Sequence, residues 1–442
     1  MKFNLLLCTG LLLCLSLFAE KNQAGDKLLI DYKLLYTYTQ DSLERFYKAN
    51  NIPQFITPVE NGIDMYEITY RGEWIDGSLI KAKGVLYVPT TTEPKAELAY
   101  CHGTRISVKQ KYGINDLEQL VAIMHAADGY ISYFPFYYGL GGGDKEHIYQ
   151  HAETEANAVI YMIKACREEL FDKINIKTNG QLFVTGYSQG GHAAMATHQM
   201  LETDKFPEIE ITASSPMSGA YDMTGTQSVT MFQEYDRPHY LPYLLISYSY
   251  AYKHLWEGDI YSVFKPPFDK DLKKYFAQPR KIDYGALDSI LPNYPADMII
   301  DSLVNVFKTD TSFLFTKKLA ENNLHDWKPE APIQLCACYG DNEVLYQNTE
   351  VAYENLKENG AEVYKRMFGK HLAHNPCAPF TIIYSKSFFD NIRNDRKRIA
   401  KVRFPKRFFL NLGIMSANRK GKKKMKETGE VENDALSVRK KK

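Results

Sequence analysis

Between residues 97 and 215 the chain alternates short apolar runs with amphipathic ones, and this alternation restricts the fold more than any other feature. Glu97 to Cys101, Tyr130 to Phe134, Gln181 to Thr185 and Ile209 to Ser215 read as strands. Asp116 to Ala127, Glu153 to Leu170 and Gly190 to Leu201 read as helices, and Ala156, Val159, Ile160, Ile163 and Cys166 share one face of the second. Strands that are apolar throughout need cover on both sides, and helices threaded between them supply it. The alternation predicts an α/β class: a mostly parallel central sheet with helices on both faces. Upstream, Ile63 to Tyr70 and Ser78 to Val88 read as strands joined by a turn at Asp76-Gly77. Residues 31–50 carry apolar side chains at Leu34, Leu35, Tyr38, Leu43, Phe46 and Tyr47 in a broadly helical pattern. The alternation stops over residues 221–330, which are aromatic and broken by prolines. It resumes with a strand at Ile333 to Tyr339, a helix at Asn348 to Asn359 ended by Gly360, a strand at Ala361 to Met367 and a helix at Ala378 to Phe389.

Gly186-Tyr187-Ser188-Gln189-Gly190 matches G-x-S-x-G. The match means little alone, since Gly and Ser are common. Here an apolar strand runs directly into it and a small-residue helix leaves it, which is the setting of a nucleophile elbow. Ser188 is therefore the candidate nucleophile. A hydroxyl attacks poorly until a base takes its proton, and the base needs an orienting acid. In such folds the order along the chain is Ser, acid, His. Asp341 follows the Ile333–Tyr339 strand directly and is the expected acid, with Glu343 as rival. His371 and His374 both follow the last strand. His374, nearer the final helix, is the preferred base and His371 its alternative. The developing oxyanion needs backbone N–H donors. Gln189, at the helix start, should give one. Gly103 and Thr104, after the Glu97–Cys101 strand, should give the other. His102 precedes the nucleophile in the chain and reads as structural. His192 reads as a packing or polar contact and His198 as helix surface.

Lys2, the apolar run Phe3 to Leu17 and a cleavage position at Ala19 read as an export signal over residues 1–19. A lipoprotein anchor is the weaker alternative, since Cys8 and Cys14 each follow Leu rather than a small residue. The five remaining cysteines are an odd number in apolar surroundings, so they read as buried small hydrophobes and not as a disulfide framework. No Cys/His spacing resembles a zinc site, and the chemistry requires no metal or cofactor. Residues 391–442 hold 18 Lys and Arg against 5 Asp and Glu, so the tail carries +13 and the remaining chain −12 of the overall +1. The tail reads as a solvated or disordered appendage with weak contact to anionic surfaces and no specific nucleic-acid partner.

These residues together resemble the secretory lipase branch of the α/β-hydrolases, shared by fungal lipases and exported bacterial esterases. The likeness runs from about residue 65 to 385. It is carried by Tyr100-Cys-His-Gly-Thr104, Gly129-Tyr-Ile-Ser-Tyr-Phe-Pro-Phe-Tyr-Tyr-Gly-Leu-Gly141, Glu155-Ala-Asn-Ala-Val-Ile160, the stretch from Gly186 to Ala194, Gly340-Asp341-Asn-Glu-Val344 and His374-Asn-Pro-Cys-Ala-Pro379. The resemblance implies a Ser188, Asp341, His374 triad and an inserted helical lid. The family usually has Asp where this chain has Phe136, which removes a polar anchor near the active-site loops.

The division expected is a signal at 1–19, the first part of an α/β-hydrolase core at 20–220, a helical lid at 221–330, the rest of the core at 331–392 and a basic tail at 393–442. Aromatic residues crowd the lid stretch, from Tyr240 to Trp256. They can either face an acyl or aromatic substrate or fill the lid's own core; Tyr138, Tyr243 and Tyr250 are the candidate substrate contacts. The expected activity is that of an exported serine carboxylic-ester hydrolase on a small-molecule ester or lipid. A peptidase or acyltransferase on the same scaffold is the nearest alternative, and an inactive surface-binding protein the alternative of another class.

Overall fold

The computed structural model describes residues 27–428, apart from residues 92, 94, 257 and 277–283. The expected signal at residues 1–19 and the last stretch of the tail, 429–442, lie outside the described residues.

Among the described residues nine strands form one sheet: β1 (Leu29–Tyr38), β2 (Ile63–Glu73), β3 (Leu79–Pro89), β4 (Lys95–Cys101), β5 (Ile131–Phe136), β6 (Thr178–Tyr187), β7 (Ala213–Met217), β8 (Ile333–Cys338) and β9 (Val363–Phe368). Their spatial order is β1-β2-β3-β5-β4-β6-β7-β8-β9. The pairings β1/β2, β2/β3 and β3/β5 are antiparallel, and every later pairing from β5/β4 to β8/β9 is parallel. The β2–β3 hairpin turns where expected. Asp76 Oδ1 accepts the Ser78 N–H at 3.0 Å, and Gly77 takes φ +78°, a conformation side chains disfavour.

The helices are α1 (Gln40–Ala49), α2 (Gln119–Ala127), α3 (Ala152–Ala165), α4 (Gln189–Leu201), α5 (Tyr240–Ala251), α6 (Phe268–Phe276), α7 (Tyr284–Asp288), α8 (Asp301–Thr309), α9 (Leu314–Ala320), α10 (Gln347–Glu358), α11 (His374–Arg393) and α12 (Lys406–Thr428). Side chains alternate along β6. Phe183 packs on Phe389 of α11, and Thr185 Oγ1 meets Ser385 Oγ at 3.0 Å, so α11 covers that face. α2 joins it there through the buried Lys386–Asp128 ion pair. α3 and α4 pack on each other and cover the opposite face. Between β7 and β8 the chain leaves the sheet for a block of short helices, α5 to α9. The block has an apolar interior around Leu245, Trp256, Phe307 and Phe315, with a slot of about 360 Å³.

Four expectations fail. Residues 31–50 are not one helix: β1 occupies 29–38 and α1 only 40–49. Adjacent Leu34 and Leu35 satisfy a helical period, but Ile30, Tyr32, Leu34 and Tyr36 also repeat every second residue, and all four lie exposed along the edge strand. The basic tail is ordered as helix α12 over much of its length. Val402 and Leu410 are buried with Ile56 against Phe380, Ile383 and Tyr384, apolar anchors that the charge count concealed. Cys338 is not a small hydrophobe. It forms a disulfide with Cys377, while Cys101, Cys166 and Cys336 are buried and free. His198 is not on the surface: it is fully buried, with Nδ1 at 2.6 Å from Ser214 Oγ and Nε2 at 2.9 Å from Glu202.

Candidate active site

The motif at 186–190 folds as a sharp turn from β6 into α4. Ser188 sits at φ +63°, ψ −123°, outside the ordinary regions for a residue with a side chain. Two glycines make this possible. A Cβ on Gly190 would come 2.0 Å from the Cys101 carbonyl oxygen, and one on Gly186 would come 2.2 Å from the Gly190 carbonyl oxygen. The N–H of Gln189 is among the first four of α4, which no carbonyl within the helix can satisfy, so it is suited to an oxyanion.

Asp341 follows β8 and is buried. Its Oδ1 accepts the N–H groups of Glu343 and Val344 at 3.1 and 3.0 Å. Both of its oxygens lie near His374 Nδ1, at 2.9 and 2.8 Å. A carboxylate only accepts, so Nδ1 carries hydrogen and Nε2 of the neutral ring holds the lone pair. Burial alone would lower the pKa of His374, but the Asp341 charge and hydrogen bond outweigh it and hold the value above 6.5. His374 is tied to the turn at Ser188 by Tyr187: the tyrosine hydroxyl donates to the His374 carbonyl at 2.7 Å, and the rings lie 4.8 Å apart. The Cys338–Cys377 disulfide, three residues before Asp341 and three after His374, joins the end of β8 to α11.

The two rivals lie elsewhere. Glu343 binds Arg237 Nε at 3.1 Å and accepts the Tyr240 hydroxyl at 2.9 Å, so it connects the acid loop to the helical block. His371 gives its backbone N–H to Asn418 Oδ1 of α12. His102 is structural. Its ring lies tilted against Tyr137 at 4.2 Å and stacks on Phe134 at 5.6 Å, and burial with the Arg105 charge drives its pKa far down.

Several expected site residues are placed otherwise. The N–H of Gly103 donates to Glu118 Oε1 at 2.5 Å, which takes it from the expected oxyanion donors. The Thr104 hydroxyl meets the Tyr149 hydroxyl at 3.2 Å. Tyr138 is buried in the core against Trp74, with its hydroxyl over Gly72. Tyr250 is 40% exposed on α5. Tyr243 is buried, stacks on Tyr149 at 4.8 Å and donates to the Arg105 carbonyl at 3.0 Å, anchoring α5 beside the Gly103–Thr104 turn.

Two networks escaped sequence reasoning. Glu155 of α3 is fully buried. It accepts the Gln189 side-chain amide at 2.6 Å and faces His192 Nδ1 at 2.8 Å, which clamps the first turn of α4. Arg105 holds Asp116 and Glu118 and so fixes the carboxylate that binds Gly103. Glu155 stood in the sequence as part of the Glu155–Ile160 stretch that carries the family resemblance, and as a charge inside a mostly apolar helix. Beside the site, a cleft of about 570 Å³ opens under α5, lined among others by Tyr149, Tyr240, Leu244, Met223, Glu343 and Val344. Neither Ser188 nor His374 is in its wall; Tyr149 and Val344 link it to Thr104 and Asp341.

This architecture is shared with solved structures. A Legionella pneumophila protein provisionally described as a hydrolase superposes with a TM-score of 0.75 at 25% identity, over 84% of this chain and 100% of its own. The chain has the α/β-hydrolase fold. Within that fold it is also similar to the rice cell wall degrading esterase LipA of Xanthomonas oryzae, with a TM-score of 0.71 at 23% identity over 84% of this chain and 98% of that one. It is similar as well to Candida antarctica lipase A, with a TM-score of 0.63 at 14% identity over 90% and 91% of the two chains. No family model matches the sequence, and no curated protein matches it.

Proposed function

We propose that this α/β-hydrolase is an exported serine esterase or lipase that cleaves carboxylic esters through an acyl-enzyme. The likeness to solved hydrolases, an esterase and a lipase supports the coarser reading of a hydrolase with ester or lipid substrates. The observation that carries the finer reading is the His374–Asp341 bond, set by Tyr187 beside a serine in elbow geometry.

Ser188 Oγ attacks the acyl carbon while His374 Nε2 takes its proton. The carbonyl oxygen becomes an oxyanion, held by the Gln189 N–H with Thr104 as the second donor. The bond to the alcohol oxygen then breaks, and His374 returns the proton to that oxygen. Water repeats the sequence on the acyl-enzyme: His374 takes one of its protons, the acid leaves, and Ser188 regains its hydrogen. Asp341 holds the ring in one tautomer throughout. The cleft under α5, mostly apolar, takes the acyl chain, and the helical block covers it as a lid. Export follows from the residues 1–19 pattern.

A fluorophosphonate probe tests the reading directly. Mass spectrometry is expected to find the label on Ser188, with labelling blocked by an excess of a p-nitrophenyl ester. An unlabelled Ser188 in folded protein would sink the proposal.

A further inference from the structure

The helix α12 presents two different surfaces. Its inner face packs down: Leu410 is buried, and Gly413, Ile414, Ala417 and Asn418 are half-buried toward α11 and the turn before His374. Its outer face does something a solvated helix does not. Phe408, Leu412 and Met415 recur at spacings of four and three, so they form one stripe. Phe409 flanks them and Phe404 leads into them. Phe404 is 82% exposed and the other four between 47% and 51%. Phe55, itself exposed, meets Phe409 at 5.0 Å and widens the patch. Further along the same face the character changes to basic, with Arg419, Lys420, Lys422 and Lys423 exposed. The whole helix carries eight Lys and Arg against one acid, Glu427, which lies 3.7 Å from Lys423.

We infer that α12 is a docking element for an anionic phospholipid bilayer, lying in the plane of the interface. Charge alone would suit a polysaccharide or a nucleic acid equally well. Neither of those takes three phenylalanines, a leucine and a methionine out of water, whereas a bilayer takes the rings into its acyl boundary and the lysines at its headgroups. The helix is about 34 Å long, but among the described residues no helix is long and apolar enough to cross a membrane, so it lies on the surface and does not span it. A second copy of the chain would cover the apolar stripe but would set one basic end against another unless the copies ran antiparallel.

The test is co-sedimentation of the purified protein with phosphatidylcholine vesicles, with and without phosphatidylglycerol. Phosphatidylglycerol is expected to tighten binding by at least about tenfold, less so in high salt. The triple change Phe408→Gln, Leu412→Gln, Met415→Gln is expected to weaken binding to those vesicles by about tenfold or more. Hydrolysis of a short soluble ester should be unchanged, because only outward-facing positions are altered. Should the triple variant not fold, Phe404→Gln with Lys422→Glu and Lys423→Glu is expected to lose the preference for phosphatidylglycerol. The inference is overturned if anionic vesicles bind no better than neutral ones or if the variants bind as wild type does. It is overturned too if the stripe substitutions abolish a concentration-dependent dimer in sizing, or if heparin or DNA binds as tightly as vesicles and the stripe is irrelevant to all three.

Discussion

His374 has two opposing influences on its ring. Burial disfavours the charged imidazolium, and the buried Asp341 carboxylate favours it more strongly, so the proton is held to a higher pH than in free histidine. A general base must be neutral to act, so kcat/KM should rise with pH through a midpoint above 6.5. Asp341→Asn is expected to move that midpoint down and to lower kcat by about 10⁴-fold, read from pH–rate profiles of the two proteins. His371→Ala should leave both the midpoint and kcat near wild type, and an equal collapse would transfer the role to His371. The sign for stability is fixed by the same shift. A folded-state pKa above the unfolded one means that the pair stabilises the fold at low pH, below the unfolded value, and that the contribution fades as pH rises through the folded value. Chain order and position after a strand were enough to nominate Ser188, Asp341 and His374. The two histidines lie within a few residues of one another, as do the two acids, which chain order does not resolve; in the structure His374 bonds Asp341, while Glu343 bonds Tyr240. Aromatic identity was a poorer guide. Tyr138 and Tyr250 have the same chemistry as Tyr240, but the first is buried against Trp74 and Gly72 and the second is exposed.

At the scale of elements, the site depends on how β8 and α11 meet. Asp341 hangs from the end of the first and His374 begins the second, and the Cys338–Cys377 bridge joins them across 39 residues. Replacing both cysteines by alanine removes that constraint on the unfolded chain, a cost of roughly 2–4 kcal/mol. Denaturant unfolding should show this loss, and kcat should fall because acid and base are no longer clasped. Unchanged stability and rate would make the bridge incidental. The bridge was not legible because five cysteines in apolar runs look alike, and proximity of residues 338 and 377 is a product of the tertiary fold. The central parallel strands were legible because the buried stretches of β4, β5, β6 and β8 are largely apolar. The edge strand β1 was not, since its outward residues are apolar where polar ones would have announced alternation.

Across the whole molecule, the ends of β6 and β8 and the start of α11 hold Ser188, Asp341 and His374, while the α5–α9 block roofs the cleft beside them, tied down by Tyr243 to the Arg105 carbonyl and by Tyr235, Arg237 and Tyr240 to Glu343. Leu244 lies in the cleft wall. Leu244→Trp should therefore shorten the acyl profile, cutting octanoyl-ester hydrolysis by about tenfold or more relative to acetyl. Equal loss on both chain lengths would move the acyl site elsewhere. The aromatic content announced such a block without saying which rings faced inward, and the structure divides them between its own core, its anchors and the cleft. The central claim is that Ser188 is the nucleophile of an ester hydrolase, and the direct measurement is p-nitrophenyl butyrate hydrolysis by wild type and Ser188→Ala. The expected result is turnover by the wild type and a loss of about 10⁴–10⁶-fold in the variant; activity retained within about tenfold, or a folded wild type that cleaves no ester, would contradict it.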